Sequence, residues 1–234
     1  MAQVKERWLR ITTALAARQG TTPTPMGLCT ACAEILAVSG AGIALMGDGR
    51  MAVATYATST QAENLEELQF TLGVGPGVDA YRQGIPIIES DLAARPPARW
   101  LGFTAPAIDG GTRAVFAFPL QVGAARIGTL TLYQDRAGPL GDDTYADTLV
   151  MTEIVTGAFL AMQSAMPEGA LATELRDDGA YRAEVHQASG MVSVQLDVDV
   201  GEALVRLRAR AMADNTTVTH LAAKVVARQL RFER

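Results

Sequence analysis

The sequence predicts an α+β protein: an antiparallel sheet flanked by helices, followed by a small all-α unit of three helices. Three observations predict it. Across residues 1–165, short apolar runs of strand type alternate with amphipathic stretches of helical period. Residues 166–178 contain Pro, Gly and four acids, the composition of a linker. Residues 179–234 show three helical patterns and no strand pattern. The expected organisation is therefore a body over 1–165, a linker over 166–178 and a C-terminal unit over 179–234.

Composition agrees with a soluble globular chain. Of 234 residues, 49% are hydrophobic and 19% charged. The opening MAQVKERW lacks the apolar core of a signal peptide. No apolar stretch approaches the roughly 18–20 residues that cross a bilayer. These features predict a cytoplasmic protein with no membrane partner.

Residues 4–18 read as an amphipathic helix, with Val4, Trp8, Ile11 and Leu15 on one side. A second helix over about 26–38 carries Cys29 and Cys32 and stops at Ser39-Gly40. Two apolar runs then flank Gly47-Asp48-Gly49-Arg50, a hairpin signal. Residues 60–70 look helical. The stretch LGVGPGVDAYRQG is a turn leading into a short helix near Val78–Arg82, without the ending of a phosphate loop. IPIIES reads as a strand, and 97–108 as a helix containing Trp100 and Phe103. RAVFAFPLQV and ARIGTLTLYQ are two strands joined at Gly123-Ala124. A long helix follows from near Asp142 to about Ser164.

In the C-terminal unit, Tyr181, Val185, Ala188 and Val192 share one stripe of a first helix. Asp199 caps the second, with Glu202 three residues on, as in a capping box. Ala203, Leu204, Leu207 and Ala211 supply its apolar face. The third starts at Thr219 as N-cap and buries Leu221, Ala222, Val225, Val226 and Leu230. His220, Lys224, Arg228 and Arg231 follow at i, i+4, i+8 and i+11, within about 80° on a continuous helix. Residues 201–234 hold seven Lys/Arg against three acids, whereas 1–165 hold eleven against fifteen. An acidic body with a basic end suits an anionic partner. A solvated basic face near a helix C-terminus is the plainer explanation.

This segment resembles the ANTAR family, an RNA-binding three-helix module of bacterial transcription antitermination regulators. The match rests on Ala188-Ser189-Gly190-Met191, on Ala203 with Leu207-Arg208 and Ala211, and on Val218, Leu221-Ala222 and Val225-Val226. It departs from many members at Ser189, where they carry Lys. The body is similar to the GAF fold, a sensing or dimerising domain. Phe118-Pro119-Leu120, Arg126-Ile127-Gly128-Thr129-Leu130 and the Gly-Pro-Gly turn before Asp79-Ala80 carry that likeness.

The resemblance implies a homodimer that binds structured RNA; the basic face of His220, Lys224, Arg228 and Arg231, together with Arg208, would then supply the contacts. It also implies a ligand pocket in the body, for which Asp91, Trp100, Phe103, Arg113 and Tyr133 are the candidates. A small molecule or a protein would regulate signal transduction there. Core packing of the aromatic residues, with Arg113 simply opening a strand, is the plainer explanation. No catalytic motif, metal-ligand set or cofactor signature is present. Cys29-x-x-Cys32 lacks a second ligand pair and has the period of a core helix. Other readings are a bundle that docks a protein partner, a helix-turn-helix that reads duplex DNA, and a redox enzyme using the two thiols.

Overall fold

The computed structural model describes residues 2–19, 23–46, 52–94, 99–165 and 180–233. The expected hairpin turn Gly47–Arg50 and the linker 166–178 lie outside these residues.

Five strands form one antiparallel sheet in the order β2-β1-β5-β4-β3. They are β1 (Gly40–Met46), β2 (Ala52–Ala57), β3 (Ile87–Glu89), β4 (Ala114–Val122) and β5 (Ala125–Gln134). Period-two alternation in β4 decides how the layers form. Phe116, Phe118 and Leu120 join one buried cluster, Val115 and Ala117 another on the opposite face. The first face packs α1 (Ala2–Gln19), α2 (Pro25–Ile35) and α6 (Asp142–Ala165). The second packs α3 (Thr60–Leu72), α4 (Pro76–Gln83) and α5 (Thr104–Asp109). This is the α+β arrangement expected, with helices on both faces.

Local chemistry sets the helix starts. The Thr24 hydroxyl accepts from the Gly27 amide and Pro25 opens α2; the Ser59 hydroxyl caps α3 in the same way. Some expectations need correction. Helix α2 stops at Leu36, because Ala37 turns left-handed (φ 52°), and Gly40 opens β1 instead of ending the helix. The helix expected from residue 97 begins only at Thr104; Trp100 and Phe103 lie in the turn before it. On α1, Ile11 and Leu15 are buried, but Val4 and Trp8 remain 57% and 49% exposed. Helix α6 is long and apolar enough to span a bilayer by length and composition, contrary to the reading that no stretch is. Its Val150, Met151, Val155 and Phe159 pack against the sheet.

Two contacts hold this frame in register. A Cβ added at Gly128 of β5 would lie 2.2 Å from the Ala44 carbonyl oxygen of β1. Only glycine allows that approach. Asp147 of α6 accepts from Arg7 (2.7 Å) and Arg10 (2.5 Å) of α1. Burial raises the Asp147 pKa, but the hydrogen bonds from Arg10 and Arg7 outweigh it and hold the carboxyl below its ordinary value.

Gly128→Ala should therefore destabilise the protein by about 1–3 kcal/mol or more, read as a lower thermal midpoint; an unchanged midpoint would contradict the β1–β5 register. A depressed carboxylate pKa stabilises above the unfolded value of about 4, and that contribution fades as pH falls through the native value. Asp147→Asn should thus lower the melting temperature at pH 7, and the gap to wild type should close below about pH 4.

Candidate nucleic-acid interface

The C-terminal unit folds as α7 (Ala180–Leu196), α8 (Val200–Ala213) and α9 (Val218–Val226). Val185, Ala188, Val192, Ala203, Leu207, Ala211, Val218, Ala222 and Val225 are all fully buried. The alanines among them let the three backbones approach closely. Ser189 is also fully buried, its hydroxyl donating to the Val185 carbonyl at 2.8 Å. The site of the departure from the family pattern is thus inside the bundle. Asp199 caps α8 by accepting from the Glu202 amide at 2.9 Å, as its spacing predicts.

Helix α9 departs from the expectation in two ways. Its N-cap is Thr217, which accepts from the His220 amide; Thr219 is buried instead. The helix also ends at Val226, so Arg228 and Arg231 lie beyond it and not on its face. Arg228 adopts φ 60°, and the Gln229 and Leu230 amides both donate to the Lys224 carbonyl. This reversal has a packing reason. On a continuous helix Leu230 would sit about 140° from Val225. Folded back, Leu230 and Phe232 pack against the bundle, and the Phe232 amide donates to Gln195. His220, Lys224, Arg228 and Arg231 are all exposed. The reversal keeps the two arginines near the last turn of α9, although not by the spacing that singled them out.

The arginines of α8 have separate fates. Arg206 pairs with Glu202 and Arg210 with Asp214, each one turn along the exposed helix surface. Arg208 turns toward the body. Its Nε donates to the Phe70 carbonyl at 3.0 Å and its guanidinium lies 5.6 Å from the Phe70 ring centroid.

Among the described residues, the five pocket candidates have separate surroundings. Trp100 and Phe103 are core residues in edge-to-face contact at 6.0 Å, and Trp100 donates to Asp79 at 2.9 Å. Arg113 and Asp91 face each other at 3.5 Å, partly exposed. Tyr133 is buried with its hydroxyl on Glu66; burial, then the Glu66 charge, push its pKa well up. One cavity, of about 40 Å³, lies beside Glu66, Gln69, Gly77, Arg82, Thr129 and Arg208. That volume suits about one water. Glu66 is only 4% exposed, and a Cβ at Gly42 would meet its carboxylate at 2.5 Å. Sequence reasoning missed Glu66. The signal was available, since Ala62, Leu65, Glu66, Gln69 and Phe70 share the i, i+3, i+4, i+7, i+8 stripe of a buried face.

Cys29 and Cys32 are free thiols in the core. Burial pushes Cys29 well above the ordinary thiol range and Cys32 up to about 12. The thiolate is the reactive form. Native protein should therefore resist iodoacetamide at pH 8 and label at both positions only in denaturant, read by intact mass. Rapid labelling of the native chain would contradict the buried placement.

Residues 173–226 match the sequence profile of the ANTAR domain. The body superposes on the GAF domain of a phosphoenolpyruvate-protein phosphotransferase from Acinetobacter, with TM-score 0.50 and 8% identity over 70% of this chain and 96% of that one. The GAF domain of the Coxiella burnetii phosphoenolpyruvate-protein phosphotransferase gives TM-score 0.52 and 12% identity over 68% and 96%. Comparison with curated proteins gave no match. At these identities the structural likeness is one of fold. Residues 173–226 are thus an ANTAR domain, carried behind a body of GAF fold.

Proposed function

We propose that the protein is a cytoplasmic bacterial regulator that binds stem-loop RNA in a nascent transcript and favours antitermination. In this reading the GAF-fold body senses a small molecule or a protein regulator, and the protein acts by binding and not by catalysis. The observation that carries the reading is the exposed cationic end of the ANTAR domain. Val218, Leu221, Ala222 and Val225 of α9 pack inward, while His220, Lys224, Arg228 and Arg231 are left to solvent.

Those residue types suit the task. Lys and Arg neutralise phosphates and release counterions, which makes affinity depend on salt. RNA loops present unstacked bases, on which a planar guanidinium can stack and hydrogen-bond. The reading includes a homodimer that engages paired stem-loops. Val4 and Trp8 support it, one turn apart on α1 and half exposed.

The double variant Lys224→Ala, Arg228→Ala should bind hairpin RNA more weakly in a filter-binding assay. The slope of log affinity against log salt should become shallower by about two ions. Unchanged affinity in a variant with wild-type melting would remove the assignment.

A further inference from the structure

Arg208 differs from the other cations assigned to RNA because it is already occupied. Besides its bond to the Phe70 carbonyl, its guanidinium lies where a side chain at residue 73 would be. A Cβ on Gly73 would approach Arg208 Nη1 to 2.7 Å. Gly73 caps α3 in a left-handed conformation (φ 66°), so the backbone that ends α3 also makes room for Arg208.

The rest of the contact is part polar and part apolar, and α7 also touches β2. The Val218 amide, at the start of α9, donates to the Thr71 hydroxyl at 3.2 Å. Thr219 donates to the Glu67 carboxylate at 2.6 Å, and Thr71 donates to the same oxygen at 3.3 Å. Phe70 and Ala44 are the buried apolar residues that the body contributes to the core of the bundle. Contacts of this kind between domains of one chain are of the sort that open and close.

We propose that docking of the ANTAR domain on α3 withholds Arg208 from RNA, so that the docked state and the full RNA-bound state exclude one another. This rests on the RNA-binding reading above and specifies how the body regulates that site. Arg208 also borders the cavity beside Glu66 and Arg82. A shift of α3 against α4, which also line this cavity, therefore acts directly on the contact. The apparent affinity for RNA is the intrinsic affinity scaled by the undocked fraction.

The test uses the full chain and one fluorescein-labelled RNA, a two-hairpin fragment recovered with the protein by pull-down. Thr71→Val removes the acceptor of the Val218 amide and one hydroxyl from Glu67. Thr219→Val removes the other hydroxyl from the opposite side. Each should speed hydrogen exchange in the first turn of α9 and tighten RNA binding: Thr71→Val by about tenfold, the effect of leaving the buried Val218 amide unsatisfied in the docked state, and Thr219→Val by less, because the half-buried Glu67 keeps the Thr71 hydroxyl. The salt slope should steepen by about one ion, and adding Arg208→Ala to Thr71→Val should abolish the gain. In the wild type, saturating RNA should itself speed exchange of the same amides. Amides that stay protected at saturation would overturn the inference while leaving the RNA-binding reading intact. Absence of RNA binding in wild type and variants alike would overturn that reading, and the inference with it.

Discussion

Helix α3 is held between two partners, and the layout of the chain follows from that constraint. One side carries Ala62, Leu65, Glu66 and Gln69 against the sheet and α4. The other offers Glu67 and Thr71 to the C-terminal bundle, with Phe70 at the border between the two sides. A helix used on two sides cannot be a simple amphipath. Its polar residues must find partners, because a buried polar group left unpaired costs roughly 1–3 kcal/mol. Glu66 takes the Tyr133 hydroxyl and Gln69 takes the Gly77 amide. Gly42 and Gly73 clear the space that Glu66 and Arg208 need.

Much of the architecture was legible because it rests on period and punctuation. Alternation in β4 and β5, the caps at Asp199 and the Gly-Pro-Gly turn all follow from local sterics and hydrogen bonding, which a single sequence carries. The cysteines on a helical stripe were read as core for the same reason. What escaped depends on contacts between distant segments. Nothing local says that Trp8 stays exposed while Ile11 is buried; the position of α6 decides it. The end of α9 is another case. An arginine at φ 60° is disfavoured locally by roughly 1–2 kcal/mol. The packing of Leu230 and Phe232 on the bundle offsets it.

The candidate sites were legible in unequal measure. The exposed cations could be found from charge and spacing, although the geometry that justified Arg228 and Arg231 was a continuous helix that does not exist. Arg208 was found from family resemblance, but its docking on Phe70 has no signature in its neighbours. In the body, the aromatic residues that suggested a pocket fill the core. Beside the cavity at Arg208 lies Glu66, a buried glutamate on a helix whose stripe was not read. Its stripe was visible only if a charged residue was allowed to count as buried.

The account makes the cationic end of the ANTAR domain the surface through which the protein acts. Ultraviolet crosslinking of the full chain to its co-purified RNA, followed by mass spectrometry of the crosslinked peptides, tests this most directly. The account predicts crosslinks concentrated between His220 and Arg231, on the residues of α9 and the reversed turn after it. Crosslinks confined to residues 2–165, or no RNA recovered with the protein, would contradict it.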